Sequence, residues 1–276
     1  MGQGRLFVCA TPIGNLGDVS ERLREVLALA DVIYAEDTRR TAKLLSRVGS
    51  QARLRSLFAG NEKSRTRELI DDVRSGLDVV LLSDAGMPAV SDPGGEAVSA
   101  ALDEGLKTTV IPGPSAVTAA IALSGFGGDR FVFEGFLPRR AGERTARLTS
   151  LATETRPIVL FASPKRLGED LSDLRDALGS ERSVAVLKEL TKIHEQVWRG
   201  SLEEAAAKWA GDQKGEFTLV VGRGQIETPN IADAVNLALS LVAGGSSRSD
   251  AAREAASVTG VARREIYEKL VRSTTS

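Results

Sequence analysis

Short apolar runs alternate with amphipathic segments through the first 124 residues. The apolar runs predict strands at 5–10, 32–35, 53–58, 78–82 and 107–111. The segments between and after them predict helices that start at Ser20 and then cover 41–48, 65–75, 96–104 and 115–123. Because helices between apolar strands cover both faces of a sheet, this half is predicted to hold a mainly parallel sheet.

The pattern changes after the glycine-rich stretch 124–128. Strands are predicted at 130–136, 157–162, 183–188, 196–199 and 217–222, with helices at 144–152, 167–178 and 202–207. The short connection between the strands at 183–188 and 196–199 favours an antiparallel pair. We therefore expect an α/β protein with an N-terminal domain at 1–124 and a mixed α+β sheet domain at 125–226.

A third pattern occupies residues 227–276. Helices are predicted at 231–242, 249–257 and 262–272, with breaks at Gly244-Gly245 and at Gly260. Two short helices around a glycine turn match a helix-turn-helix. Since basic residues only slightly outnumber acidic ones in the last two helices, RNA docking and plain packing both stay open for this helical tail.

Composition limits the class of protein. The chain has 276 residues, of which 42% are hydrophobic and 26% are charged, and its formal net charge is −1. These values are typical of a globular protein. Cys9 is the single cysteine and lies in an apolar run, so we expect a buried thiol and no intrachain disulfide. No apolar run is long enough for a membrane span or a signal peptide, and we expect a cytoplasmic protein without a membrane partner.

Three loops rich in glycine and proline each follow a predicted strand, at 11–18, 83–95 and 111–116. One such loop is ordinarily a turn with a helix cap. Three at the carboxyl edge of one parallel sheet indicate a ligand crevice, where glycine lets the backbone approach the ligand. Neither a dinucleotide fingerprint nor a Walker loop is present. Spacing alone therefore predicts a small-molecule or nucleotide-like ligand, with no metal site.

The sequence in and beyond these loops contains motifs that resemble those of a known protein family. The motifs are Ala10-Thr-Pro-Ile-Gly-Asn-Leu-Gly-Asp18, Ala35-Glu-Asp-Thr-Arg39, Leu82-Ser-Asp-Ala-Gly-Met-Pro-Ala-Val-Ser-Asp-Pro-Gly94, Ile111-Pro-Gly-Pro-Ser-Ala116, Lys188-Glu-Leu-Thr-Lys-Ile-His-Glu195 and Gly215-Glu-Phe-Thr-Leu-Val-Val221. Over nearly its whole length the chain resembles the tetrapyrrole-methylase superfamily. It is most similar to the branch that methylates the ribose of a cytidine in the decoding region of 16S ribosomal RNA. Porphyrin-modifying members have a Gly-Gly-Asp-Pro second loop, which is missing here.

The resemblance implies a two-domain fold that holds S-adenosyl-L-methionine in the cleft between the domains. It also implies a homodimer and, as partner, 16S ribosomal RNA or the small ribosomal subunit. By motif position, the cofactor-binding residues of the first domain would be Pro12, Asp84, Ala85, Gly86, Met87, Val90, Ser115 and Ala116. Those of the second domain would be Ala162, Leu190 and Thr218.

Methylation of a ribose hydroxyl also needs a group that accepts its proton. Titratable residues in the motifs are Glu36, Asp37, Asp84, Lys188, Glu189 and His194. We take Asp37, Lys188 and Glu189 as the candidate catalytic residues. The alternatives stay open: Glu36-Asp37 as an acidic pair at a helix N-terminus, Lys188-Glu189 as a rim ion pair, and His194 as an ordinary strand residue.

Basic residues are concentrated in two places. Between 39 and 67 the only acid is Glu62, and we predict RNA binding by Arg39, Arg40, Lys43 and Arg47 at helical spacing. A second cluster contains Arg139, Arg140, Arg144 and Arg147. A carboxylated tetrapyrrole would also bind arginine, so charge alone does not choose the substrate.

Three functions remain open at this point. The first is S-adenosylmethionine-dependent 2′-O-methylation of ribosomal RNA. The second is methylation of a small anionic metabolite such as a tetrapyrrole. The third is a non-enzymatic RNA-binding or ribosome assembly factor that retains the cleft. The basic run at 39–67 favours the first over the second, and the three loops disfavour the third.

Overall fold

The computed structural model describes residues 4–224 and 231–273. The first half forms a five-stranded sheet in the order β3-β2-β4-β1-β5, with every neighbouring pair parallel. Its strands are β1 (Arg5–Cys9), β2 (Val32–Ala35), β3 (Arg53–Ser56), β4 (Asp78–Leu82) and β5 (Lys107–Ile111). The predicted parallel sheet is confirmed, and its carboxyl edge carries the three loops.

Helices cover both faces of this sheet, because side chains alternate between faces along each strand. The helices of the first half are α1 (Glu21–Leu29), α2 (Thr38–Val48), α3 (Glu62–Arg74), α4 (Gly95–Asp103) and α5 (Ala116–Ser124). Ile33 and Leu82 face α1 and α2, whereas Tyr34 and Leu81 face α3 and α4. Cys9 is buried, as expected, and burial raises the pKa of its thiol to about 12.

The second half forms a mixed sheet in the order β6-β7-β10-β8-β9. Its strands are β6 (Val132–Phe136), β7 (Ile158–Ala162), β8 (Ser183–Lys188), β9 (Gln196–Ser201) and β10 (Phe217–Val221). Strands β6 and β7 are parallel and the other pairs are antiparallel, which confirms the predicted mixed sheet. Helices α6 (Ala141–Ala152), α7 (Leu167–Leu178) and α8 (Leu202–Lys208) pack on one face.

Helix α5 covers the other face of the second sheet. Its Val117 and Ile121 pack against Val159, Leu187 and Val220 in one apolar cluster. The described residues up to Gly224 therefore form a single compact unit that contains both sheets. The predicted domain boundary at residue 124 lies between α5 and β6 and stays a prediction, and the boundary at 226 lies outside the described residues.

The tail is a separate unit of three helices, α9 (Ile231–Ala243), α10 (Arg248–Thr259) and α11 (Arg263–Ser273). They share a small apolar cluster that includes Ala238, Ala252 and Leu270. Gly260 ends α10 in the left-handed conformation, with a φ of 74°. The helical tail is thus confirmed, whereas its role as a helix-turn-helix stays a prediction.

Sequence patterns place the starts of three helices three residues too late. Helix α2 begins at Thr38 rather than 41, because the Asp37 side chain accepts a hydrogen bond from the Arg39 backbone N–H and caps the helix. Helices α3 and α6 also begin three residues earlier than the apolar periodicity indicates. Within residues 4–224 and 231–273, no helix has the length and apolar character needed to cross a membrane.

Candidate functional site

Backbone hydrogen bonds join the three loops at the carboxyl edge of the first sheet. Thr11 and Gly86 exchange two of them, at 2.9 and 3.0 Å, as an isolated antiparallel bridge. The Thr11 hydroxyl also donates to the Ser83 carbonyl at 3.0 Å, and the Ala10 N–H donates to the Ile111 carbonyl at 3.0 Å. The first and second loops are therefore fixed to each other before any ligand binds.

The second loop has an unusual backbone. Gly86 has a φ of 83°, and the non-glycine residues Ala89 and Ser91 also have positive φ values of 65° and 61°. Such conformations cost free energy and are concentrated at ligand sites. The Ser83 hydroxyl accepts a hydrogen bond from the Ala85 N–H at 3.1 Å and donates one to the Asp92 carboxylate, which holds the loop in this shape.

A cavity of about 530 Å³ lies between these loops and the second sheet. This volume is within the range of small-molecule sites. Ten of the eleven predicted cofactor-binding residues line it: Asp84, Ala85, Gly86, Met87, Val90, Ser115, Ala116, Ala162, Leu190 and Thr218. Pro12 does not line the cavity.

One part of the wall is apolar, and we call it the apolar end: Ile13, Val117, Leu187, Leu190 and Thr218. The first loop contributes Ile13, α5 contributes Val117, and the second sheet with the loop after β8 contributes the other three; all five residues are buried. Gly14 approaches the loop after β8, since a Cβ on Gly14 would lie 2.5 Å from the Lys192 Cγ. The first loop therefore contacts the loop after β8, next to Ile13 of the apolar end.

Another part of the wall is charged, and we call it the charged end: Glu36, Arg40, Asp84, Asp92 and Arg139. Asp84 accepts a hydrogen bond from the Asp37 N–H at 2.8 Å and lies 3.5 Å from the Arg40 guanidinium. The end of β6 meets the second loop here, because a Cβ on Gly135 would lie 2.9 Å from the Ser91 hydroxyl.

Two carboxyl groups of the charged end have raised pKa values. Burial is the main cause for Glu36, and the negative charges of Asp92 and Asp84 add to it, while Arg40 opposes them. Burial also raises the pKa of Asp92, and the hydrogen bond from Ser83 acts in the other direction. Carboxyl groups with perturbed pKa values in a cavity are candidates for proton transfer.

Most of the chain also matches a known protein family. A family model described as tetrapyrrole (corrin/porphyrin) methylases matches residues 5–206. The chain belongs to this family. The resemblance in the loop motifs is thereby confirmed, and the chain is a methyltransferase.

Curated relatives and solved structures agree with this membership. The chain is similar to two proteins named "Ribosomal RNA small subunit methyltransferase I". The one from Mycobacterium bovis is 44% identical to this chain, and the match covers 99% of this chain and 96% of the relative. The one from Synechocystis is 43% identical, and the match covers 96% of both proteins. Cobalt precorrin-4 methyltransferase has a TM-score of 0.60 at 21% identity, covering 79% of this chain and 94% of that one. Uroporphyrin-III C-methyltransferase from Thermus thermophilus, complexed with S-adenosylhomocysteine, has a TM-score of 0.57 at 17% identity, covering 79% and 96%. These two structures support the fold alone.

Of the candidate catalytic residues of this methylase, Asp37 does not line the cavity. Its carboxylate accepts hydrogen bonds from the Arg39 N–H at 2.8 Å and from the Arg39 guanidinium. These hydrogen bonds hold the pKa of Asp37 below its usual value. The geometry agrees with the alternative that Asp37 is an acidic residue at a helix N-terminus.

Lys188 and Glu189 also lie outside the cavity wall. Glu189 has a φ of 55° and accepts hydrogen bonds from the Glu216 N–H at 2.7 Å and the Lys192 ammonium at 3.0 Å, which lower its pKa. The Lys188 ammonium lies 5.7 Å from the centre of the Phe217 ring. Glu189 does form a rim ion pair, but its partner is Lys192 rather than Lys188.

His194 is exposed in a turn before β9, so its interpretation as a strand residue is wrong. Sequence reasoning also misses two aromatic residues of the wall, Phe136 and Phe161, whose ring centres lie 5.5 Å apart. Phe136 is 56% exposed. It lies at the end of a strand of the second sheet, just as the loop residues follow strands of the first, and this placement is the signal that could have found it.

The two predicted basic clusters differ in the structure. Arg39, Lys43 and Arg47 are exposed on α2, whose first turn places Arg40 in the cavity wall. On α6, however, the Arg144 side chain is only 7% exposed and forms ion pairs with Asp170 and Asp173. The interpretation of the second cluster as one basic patch is therefore wrong.

The acidic side chains of the charged end are not arranged as a metal-ligand cluster. Among the residues that the structure describes, no group of three or more His, Cys, Asp and Glu side chains could hold a metal ion. Asp84 instead binds the Asp37 backbone and Arg40, and Asp92 binds the Ser83 hydroxyl. These two carboxylates therefore fix the shape of the second-loop region.

Proposed function

We propose that this methylase transfers a methyl group from S-adenosyl-L-methionine to the 2′-oxygen of a cytidine ribose in the decoding region of 16S ribosomal RNA. The relatives named as small-subunit ribosomal RNA methyltransferases support an RNA substrate. The observation that carries the proposal is the charged end of the cavity, which continues through Arg40 onto the exposed basic face of α2. RNA phosphates bind to such a face.

The residues at the cavity fit the cofactor. Gly86 supplies a cradle that a side chain would fill, because its Cβ would lie 3.4 Å from Ile13 and 3.5 Å from the Pro114 carbonyl. Thr218 lines the wall, and within residues 4–224 and 231–273 its hydroxyl has no hydrogen-bond partner. The cavity wall therefore offers both polar and apolar groups to the cofactor. The residues that would hold the cofactor are Asp84, Ala85, Gly86, Met87, Val90, Ser115, Ala116, Ala162, Leu190 and Thr218.

The bound cofactor supplies an electrophilic methyl group. The chain must then hold a ribose hydroxyl in line with that group and exclude water, which is mainly a matter of positioning. The buried apolar end excludes water, and the fixed second loop sets the depth at which a ligand can sit. The exposed basic residues of α2 hold the RNA backbone outside the cavity.

Methylation of a small anionic metabolite is the second candidate. It is favoured by Arg40 and Arg139, two guanidinium groups in the cavity wall that a carboxylated tetrapyrrole would bind. The basic face of α2 lies outside the cavity and would have no role with a small molecule. Membership of a methylase family argues against the non-enzymatic alternative.

Methyl-labelled S-adenosylmethionine separates these candidates. The purified protein is incubated with intact small ribosomal subunits, with naked 16S RNA and with a carboxylated tetrapyrrole. We expect the label to enter RNA in one of the first two reactions. Label that enters only the tetrapyrrole would reject the RNA substrate, and cofactor binding without transfer to any of the three would support the non-enzymatic role.

The homodimer implied by the resemblance and the cytoplasmic location expected from the apolar pattern also stay predictions. Sedimentation analysis of the purified protein tests the first. We expect one species at twice the chain mass of 29.3 kDa. A single species at the chain mass would contradict the homodimer.

A further inference from the structure

Four carboxylates line the cavity, but they differ in what they bind. They are Glu36, Asp84, Asp92 and Glu216. Asp84 and Asp92 accept hydrogen bonds within the second-loop region, and Glu216 lies 3.0 Å from the Lys192 ammonium. Within residues 4–224 and 231–273, Glu36 alone of the four has no hydrogen bond or ion pair. It is therefore the carboxylate that remains available to a substrate.

The position of Glu36 follows from the topology. It comes directly after Ala35, the last residue of β2, which pairs with Leu82 at the end of β4. This pairing places Glu36 beside the second loop. Two residues later, after the capping residue Asp37, the chain enters α2, whose exposed face carries Lys43 and Arg47. Glu36 thus lies where the proposed RNA-binding helix meets the cavity.

The charges around Glu36 favour a carboxyl group that can take up a proton. Burial and the nearby carboxylates of Asp92, Asp84 and Asp37 raise its pKa, and Arg40 lowers it. From the second sheet, Arg139 and Glu216 line the same cavity. The pKa of Asp37, in contrast, lies below its usual value because Arg39 binds it, so Asp37 is the poorer proton acceptor of this pair.

We propose that Glu36 is the general base of the methyl transfer, a role that rests on the proposed function. The ribose 2′-O–H bond breaks and its proton moves to the Glu36 carboxylate. The oxygen uses the released electron pair to bond to the methyl carbon. The sulfur–methyl bond breaks with its electrons remaining on sulfur, which leaves S-adenosylhomocysteine and the 2′-O-methyl ribose as products. Atoms and charge balance without a further reactant.

The first test replaces the carboxylate with its neutral isostere, Glu36→Gln. General-base catalysis contributes about 100- to 10,000-fold, so we expect kcat for RNA methylation to fall by that factor. Affinity for the cofactor and for RNA should stay within about twofold of the wild-type values. The matched control is Glu104→Gln, because Glu104 lies between α4 and β5, at the sheet edge opposite the cavity, and should keep wild-type activity.

The second test measures the protonation of the Glu36 carboxyl group and does not depend on catalytic turnover. Carbon-13 NMR of labelled glutamate in the cofactor-free protein should reveal one carboxyl that titrates above the ordinary glutamate range and is missing in Glu36→Gln. Asp92→Asn removes a neighbouring negative charge, so this titration should move to lower pH. The acidic limb of kcat should move in the same direction, since the base must be ionised and the rate rises with pH through its pKa.

The outcomes separate the two proposals. Wild-type transfer to RNA together with unchanged kcat in Glu36→Gln would overturn the role of Glu36 and leave the proposed function standing. A loss of cofactor affinity as large as the loss of kcat would also overturn it, because Glu36 would then bind the cofactor instead. Wild-type protein that methylates only a tetrapyrrole would overturn the proposed function itself.

Discussion

The apolar end and the charged end of the cavity are built by different means. At the apolar end, buried side chains from the first loop, α5 and the second sheet pack together, and the second loop is fixed by backbone hydrogen bonds to Thr11. At the charged end, Arg40 and Arg139 are exposed; Arg40 pairs with Asp84, and among the residues that the structure describes Arg139 has no ion pair. The apolar end depends on a close fit between side chains, whereas the charged end depends on charge. Substitutions at the two ends should therefore have different effects.

Because the two ends differ in this way, we expect the apolar end to bind the cofactor and the charged end to bind RNA. A cofactor binds more tightly to a pocket that is already ordered, because binding then has no ordering cost. The apolar end supplies such a pocket. RNA is held through its phosphates, which needs exposed cations rather than a close fit. If this division is correct, variants at one end should impair the binding of one ligand and leave the other ligand unaffected.

The largest effect is expected for Gly86→Val at the second loop. A β-branched residue is strained at a φ of 83°, and its methyl groups would enter the space between Ile13 and Pro114. We expect cofactor affinity to fall by about 100-fold, the equivalent of roughly 3 kcal/mol, with RNA affinity unchanged. Calorimetric titration with S-adenosylmethionine measures the cofactor affinity, and a filter-binding assay measures the RNA affinity.

The matched control for this variant is Gly105→Val. Gly105 also has a left-handed backbone, with a φ of 66°, but no atom lies within 4 Å of its Cβ position. Both variants should lose similar stability, and only Gly86→Val should lose the cofactor. Equal cofactor affinity in the two variants would show that the second loop is not the binding element.

A smaller effect is expected at the charged end when Arg39, Lys43 and Arg47 are all replaced by Glu. Loss of three phosphate contacts should reduce RNA affinity by about 10- to 100-fold at moderate salt. The slope of log affinity against log salt should become shallower by about 2 for a single-stranded site. Cofactor affinity should stay at the wild-type value, since these three side chains do not line the cavity.

Helix α6 provides the control for charge reversal. Arg140 and Arg147 are paired with Glu143 and Glu134, so Arg140→Glu together with Arg147→Glu should leave RNA affinity almost unchanged. A similar loss of affinity from both helices would mean that RNA responds to total charge. The proposed role of the α2 face would then be wrong.

The smallest effect is expected for Thr218→Val in the cavity wall. The change keeps the side-chain shape and removes the hydroxyl, so it should cost about 1 kcal/mol of cofactor binding, roughly fivefold in affinity. Thr66→Val is the control, because the Thr66 hydroxyl on α3 is buried and has no hydrogen-bond partner in the part of the chain that the structure describes. An equal cofactor affinity for the wild type and Thr218→Val would remove Thr218 from the proposed binding set.

Most of the fold can be predicted from the sequence because apolar periodicity reports burial directly. The three central strands of the first sheet, β1, β2 and β4, are largely buried, and the predicted positions of all five strands agree with the structure to within two residues. Helix starts are predicted less well, since the caps depend on single polar side chains such as Asp37 rather than on a repeating pattern.

The site is predictable where the backbone defines it and less so where charge does. Loop motifs indicate residues such as Gly86 and Ala116, which the structure brings to one cavity. Charge counting treats Arg144 like Arg47, because no local pattern reveals that Asp170 and Asp173 lie opposite Arg144 across two helices. Pairing over that distance is a property of tertiary packing.

The central claim is that both ends serve a single transfer of a methyl group to a ribose. The most direct measurement is mass spectrometry of nucleosides from small subunits treated with the protein and S-adenosylmethionine. We predict a single new product, 2′-O-methylcytidine, that is absent when Gly86→Val replaces the wild type. A methyl group on a base, or no methylated nucleoside at all, would contradict the account.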